Sequence, residues 1–199
     1  MAGARLTQAD RRARSRSALL ETAARGLSRA GYGNLVLAEV AAEAGYTRGA
    51  LYHQFRDKEA LALATVEWVH ETWYAEVGAV FEEDLPPVDA LVQLARRHAV
   101  YCRRDVAGVM AALRVEFASR DHPLGHAVRR EMATLVERVR RLIEAGRADG
   151  ALPPGPPAAA LAMAFLAAIE GAVIALAGRP SEDEEIAERV VRGLLGVAR

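Results

Sequence analysis

The sequence is short of several residue types and motifs, and each shortage excludes something. It contains one cysteine, Cys102, so no internal disulfide can close and no thiolate metal cluster can be assembled. A lone cysteine also fits a reducing cytoplasm, which is the expected location. Strand signals are scarce, while Ala, Leu, Arg and Glu recur at helical spacing, which predicts an all-α fold. No phosphate-cradling glycine loop, HExxH or GxSxG motif occurs, so no enzyme class is signalled and no cofactor is implied. His122 and His126 stand four apart, but Pro123 and Gly125 lie between them and no third ligand is evident. No metal site is expected there. The opening "MAGARLTQADRRARSRS" carries charge without an apolar run behind it and does not read as a secretory signal. The longest apolar stretch, "AAALAMAFLAAIEGAVIALAG", is rich in alanine and carries Glu170 near its middle. It reads as a buried helix, and no membrane partner is expected.

Charge of one sign is also lacking overall, since 26 Lys and Arg balance 26 Asp and Glu. The distribution is lopsided, however. Met1 to Lys58 holds ten basic against five acidic side chains, and the remainder is acidic by the same margin. A basic head on an acidic body is the asymmetry expected when one end meets phosphate.

About half of the 199 residues are hydrophobic, enough for a sizeable core. After a basic arm, "LLETAARGLSRAGY" places Leu20, Ala23, Ala24 and Leu27 on one helical face. Gly26 inside that helix costs ~1 kcal/mol relative to alanine. "LVLAEVAAEAG" sets Leu37, Val40, Ala41 and Ala44 at i, i+3, i+4 and i+7, a second short helix closed by Gly45. Thr47 is the N-cap of a third helix, with Tyr46 and Leu51 spaced as a hydrophobic staple. Asp57 caps a fourth helix, with Glu59 in its first turn, running to about Glu83. Further helices are predicted over 88–104, 105–119, 122–148, 158–177 and 186–197. "GALPPGPP" is a clear break, "GRPSEDE" is a loop, and there is no internal repeat or low-complexity tract.

Two short helices joined by a tight glycine turn make a helix-turn-helix, whose second helix enters the major groove with its N-terminal residues toward the bases. Small residues at Gly49 and Ala50 let the backbone approach DNA. Arg48 has the reach and fork geometry to read guanine, and Tyr52 and His53 can bond phosphates. Leu51 and Phe55 face inward, and the helix dipole at Thr47 favours phosphate.

"LLETAARGLSRAGY" followed by "VLAEVAAEAGYTRGALYHQFRDKEAL" resembles the DNA-binding domain of the tetracycline-repressor (TetR) family of bacterial transcriptional regulators. The resemblance covers about Ala13 to Trp73, and "RRLIEAGRADGAL" with the Glu170-Gly171 helix is a looser echo of the family's regulatory domain. It implies an N-terminal three-helix DNA-binding domain over 13–73, with its motif at 36–55. A larger helical ligand-binding and dimerisation domain would occupy 74–199. It places Thr47, Arg48, Gly49, Tyr52 and His53 on the recognition helix and Lys58 at the start of the fourth, touching phosphate. One departure is Val36, which stands where the family usually has a phosphate-reaching Ser or Thr; Asn34 is the nearby substitute. Arg11, Arg12, Arg14 and Arg16 either follow the DNA backbone, reach the minor groove or form a solvated arm.

Specific operator binding normally takes a dimer reading two half-sites. The last two helices are the expected homodimer surface, since "AAALAMAFLAAIEGAVIALAG" is apolar nearly all round and pairs with "IAERVVRGLLGVA". The middle helices carry stripes containing Val66, His70 and Trp73; His98, Tyr101 and Cys102; and Met110, Arg114 and Phe117. Each stripe taken alone fits a packed core. The resemblance implies a ligand pocket drawing on Val66, His70, Trp73, Tyr101, Met110, Arg114 and Phe117. Cys102, beside Arg103 and Arg104, is either a lowered-pKa redox thiol or a buried structural one. Two functions follow from these features. One is a ligand-responsive, sequence-specific regulator bound to double-stranded operator DNA, most simply a repressor released by a small-molecule effector. The other is an all-α enzyme or ligand-binding bundle without DNA recognition.

Overall fold

Thr7 opens the first helix with a reciprocal cap. Its Oγ1 accepts from the Asp10 N–H at 3.1 Å, and the Asp10 carboxylate accepts from the Thr7 N–H at 2.9 Å. The helix α1 therefore runs from Gln8 to Ala30. Arg11, Arg12, Arg14 and Arg16 lie on its first turns rather than on an extended arm. The Thr7–Asp10 spacing in "TQAD" is that of a capping box, with an acidic residue at the third helical position.

The computed structural model describes residues 7–176 and 181–198. Among these the remaining helices are α2 (Leu37–Glu43), α3 (Arg48–Tyr52), α4 (Lys58–Glu76), α5 (Pro87–Tyr101), α6 (Val109–Glu116), α7 (Pro123–Ala148), α8 (Ala158–Ala175) and α9 (Asp183–Leu195). No strand occurs among the described residues. The fourth helix stops at Glu76, seven residues before its expected end. A short 3-10 turn, Gly78–Glu82, takes over, with the Tyr74 ring only 2.8 Å from where a β-carbon of Gly78 would lie. At the C-terminal end α9 begins three residues early, because Asp183, Glu184 and Glu185 form its acidic first turn, where the helix dipole favours them. Of the expected loop "GRPSEDE", Gly178, Arg179 and Pro180 lie outside the described residues, as does Ala177.

The described residues form two compact units, one of residues 7–70 with 105–128 and one of 71–104 with 129–176 and 181–198. In the first, Leu19, Ala23, Leu27, Val40, Leu51, Phe55, Leu61 and Val66 make a buried core with Val109, Leu113 and Phe117. Each large side chain buried there stabilises the unit by about 1.5–3 kcal/mol. Gly26 has a packing reason, since a β-carbon there would lie 2.7 Å from Leu35 Cδ1.

In the second unit α9 packs on α5 and α8. Arg103 holds Asp183 through two hydrogen bonds of 2.8 and 3.0 Å, and Arg96 bonds Glu188 at 2.7 Å. The Arg103 guanidinium keeps the nearly buried Asp183 carboxyl below the ordinary aspartate range. α8 is long and apolar enough to cross a membrane by length and composition. Its inner face, Leu161, Ala162, Phe165, Leu166 and Ile169, is buried in the unit. Its outer face leaves Met163 at 53% and Ile174 at 70% exposure.

Candidate nucleic-acid interface

The turn between α2 and α3 is built by two backbone hydrogen bonds. The Tyr46 N–H donates to Ala41 O at 2.8 Å and the Gly45 N–H to Ala42 O at 3.0 Å. This closes α2 in a Schellman motif with Gly45 at φ +78°. Thr47 then caps α3, its Oγ1 accepting from the Ala50 N–H at 3.2 Å. Leu51 and Phe55 are buried, which anchors the helix on one side. The other side presents Arg48, Gly49, Tyr52 and His53, all exposed.

Arg48 and Tyr52, one turn apart, are already associated. Arg48 Nη2 donates to Tyr52 Oη at 3.3 Å, and the guanidinium lies 5.4 Å from the ring centroid. The tyrosine hydroxyl keeps its own proton for an acceptor such as a phosphate oxygen. A β-carbon at Gly49 would meet only Thr47 Oγ1, at 3.8 Å. Nothing inside the fold therefore requires glycine at this exposed position.

The flanks differ in detail. Asp57 caps α4 by accepting from the Ala60 N–H at 2.7 Å. Lys58 is engaged within the protein: its Nζ donates to Gly33 O at 3.0 Å and lies 4.8 Å from the Tyr32 ring centroid. Val36 is 46% exposed and caps α2 with no side-chain bond. Asn34 does not stand in for it here, because its Nδ2 donates to Ala30 O at 3.0 Å at the end of α1. The sequence reading missed two residues that hold this head together. Gln54 Nε2 donates to Ser15 Oγ at 2.8 Å, tying the end of the recognition helix to α1. Glu116 reaches the turn after α1. The sole sequence signal for it was a carboxylate in the last turn of a helix, where the dipole disfavours negative charge.

The residues expected to line a ligand pocket are divided. Val66 and Phe117 are buried in the core of the first unit, with Met110 packed against it. His70 and Arg114 belong to that unit as well, whereas Trp73 and Tyr101 belong to the second. There Trp73 Nε1 donates to His98 Nδ1 at 3.2 Å, and His98 Nε2 lies 3.5 Å from Cys102 Sγ. Burial pulls the His98 pKa down to about 4, opposed by the Glu170 charge, and pushes the Cys102 thiol up to about 12. Such a thiol is a poor nucleophile at neutral pH, which favours the structural reading of Cys102 over the redox one. An open depression of about 390 Å³ in this unit is lined by Glu76, Gln93, Arg96, Arg97, Val100, Tyr101 and Glu184. His122 stacks on Phe117 and His126 lies 2.7 Å from Asp121 Oδ1, so the two histidines have separate roles.

Comparison with known proteins agrees with this geometry. The family described as "Bacterial regulatory proteins, tetR family" matches residues 19–65, and "Tetracyclin repressor-like, C-terminal domain" matches residues 87–194. The HTH-type transcriptional regulator CymR of Pseudomonas putida is 32% identical over 144 residues, covering 72% of this chain and 68% of CymR. A TetR-family regulator from Agrobacterium tumefaciens has the same fold, with a TM-score of 0.80 at 20% identity over 93% of this chain and 97% of that one. AibR, solved with isovaleryl coenzyme A and operator DNA, superposes with a TM-score of 0.74 at 23% identity, over 92% of this chain and all of AibR. An exposed, capped recognition helix on a basic head, joined in one chain to a matched regulatory region, places this protein in the TetR family: it is a DNA-binding transcriptional regulator, not an enzyme.

Proposed function

We propose that the protein is a cytoplasmic, homodimeric repressor that leaves its operator when a small molecule binds. The observation that carries this reading is α3. Its apolar side chains are buried, while Arg48, Gly49, Tyr52 and His53 stand exposed around a glycine that the fold itself does not need. Thr47 orients the helix start, Arg48 reads a base edge, Tyr52 and His53 take phosphates, and Gly49 lets the backbone close on the groove. Lys58 joins them once its bond to Gly33 O is exchanged for a phosphate. Function divides near residue 73, with DNA reading over 13–73 and effector binding and dimerisation over 74–199.

Dimerisation through α8 and α9 is supported by the uncovered apolar face of α8, which a second copy would bury. For an effector, the second unit offers an open depression of small-molecule size, lined mainly by charged side chains, with Tyr101 at its wall. Trp73 and Tyr101 are the members of the sequence-nominated pocket that this unit offers. Of the fold relatives, AibR has been captured with both a coenzyme A thioester and operator DNA. Release requires the effector to prefer the non-binding conformation, since a ligand that binds both states equally shifts nothing.

The test is selection of genomic fragments by the purified protein, followed by titration of the enriched duplex. Arg48→Ala is expected to relax base preference, and Tyr52→Phe to weaken binding evenly across sequences, by about 1 kcal/mol. The opposite pattern would overturn these roles, and enrichment of no fragment would overturn the function.

A further inference from the structure

The turn that links α1 to α2 is held from both sides by side chains far away in sequence. On its N–H side, Glu116 Oε2 accepts from the Tyr32 N–H at 2.6 Å and Oε1 from the Gly33 N–H at 2.8 Å. On its carbonyl side, Lys58 Nζ donates to Gly33 O at 3.0 Å. Gly31 adopts φ +73°, and a β-carbon there would lie 2.6 Å from Glu116 Oε2, so the carboxylate is seated as close as a glycine permits. The Tyr32 ring joins the same arrangement: its centroid lies 5.7 Å from Phe117 and 5.4 Å from His122, with the Lys58 ammonium 4.8 Å away.

Glu116 is the last residue of α6, where the helix dipole opposes a negative charge. Two charge-assisted bonds to backbone N–H groups offset that position. Those bonds fix the peptide units that deliver the chain into α2, which carries the Schellman turn and α3 behind it. The same peptide units set the carbonyl to which Lys58 is tethered.

We infer that Glu116 is a positioning residue for DNA recognition. Its carboxylate latches the α1–α2 turn and holds α2 in the DNA-competent arrangement, and operator affinity falls when the latch opens. This rests on the DNA-binding reading above. Glu116 is not assigned a contact with DNA; it acts through the Tyr32 and Gly33 amides.

The test uses the full-length chain and a fluorescein-labelled duplex carrying a genomic fragment selected by the wild type. Amide hydrogen exchange at Tyr32 and Gly33 is measured alongside affinity for wild type, Glu116→Gln, Glu116→Ala and Gly31→Ala. Glu116→Gln keeps the size of the side chain but leaves one acceptor oxygen. It is expected to speed exchange at one of the two amides and to weaken duplex binding about tenfold. Glu116→Ala is expected to free both amides and weaken binding further, and Gly31→Ala to act likewise by displacing the carboxylate. A role in packing alone would leave the equal-sized glutamine variant like wild type, and if the alanine variant fails to fold, the glutamine variant decides. Wild-type affinity in Glu116→Gln, or amides exchanging as fast in the wild type as in the variants, would overturn the latch while leaving the DNA reading intact. Protected amides in a wild type that binds no duplex would overturn the DNA reading, and this proposal with it.

Discussion

Substituting Gly49 by alanine should make the protein more stable and a worse binder. The residue lies in the first turn of α3, is exposed, and does not have positive φ. An added methyl would touch only Thr47 Oγ1, at 3.8 Å, an ordinary contact distance. Replacing glycine by alanine inside a helix is worth ~1 kcal/mol. Position in the first turn of a five-residue helix trims that to roughly 0.5–1 kcal/mol, or a rise in Tm of about 1–4 °C for a chain of this size. The same methyl projects from the surface assigned to DNA. Displacing the helix backbone from the groove should cost about tenfold in affinity, or about 1.4 kcal/mol. Urea titrations at one fixed protein concentration read the first quantity, because the proposed dimerisation would make stability concentration-dependent. Anisotropy titrations of the selected duplex read the second. A variant that is more stable and binds undiminished would refute the claim that Gly49 serves close approach. A variant that is less stable would refute the open surroundings on which the calculation rests.

Two other outcomes follow from the same geometry. Gly45→Ala meets no neighbour within 4 Å but must hold φ near +78°, so it should cost about 1 kcal/mol in urea denaturation, and Gly45→Asn less; equal stability of all three would contradict the Schellman assignment. His98, lowered from 6.5 to about 4, stabilises the folded state fully above pH 6.5. It loses that contribution as pH falls toward 4, because the unfolded chain takes up the proton first. By pH 5 the loss reaches about 2 kcal/mol at most, and His98→Gln should remove that part of the pH dependence. Parallel profiles for wild type and variant between pH 7 and 5 would exclude His98 as the source.

Local chemistry was legible in the sequence wherever it acts over a few residues. The Thr47 and Asp57 caps, the glycine turn at Gly45 and the exposed face of α3 all follow from side-chain types at short spacing. Relations across long separations were not legible. Glu116 meets Tyr32 from 84 residues away, and Gln54 meets Ser15 across 39; no periodicity encodes either bond. Periodicity marked the stripes of the middle helices as packed core, and Val66 and Phe117 do lie in the core of the first unit; the pocket came from the family resemblance alone. A buried stripe specifies burial, not the neighbour it is buried against. The end of α4 was misjudged for a related reason. Helix-forming residues continue to Glu83, but the chain turns at Gly78 against the Tyr74 ring, a contact that propensity does not contain.

The central claim is that the exposed side of α3 meets the phosphates and bases of a duplex. The measurement that tests it most directly is the affinity of the full-length protein for its selected duplex at 50 and 200 mM salt. Two heads making six or more phosphate contacts predict a loss of about a thousandfold between these concentrations, through release of condensed counterions. Affinity that stays level across that range, or a duplex left unprotected by the protein at the lower salt, would contradict the account.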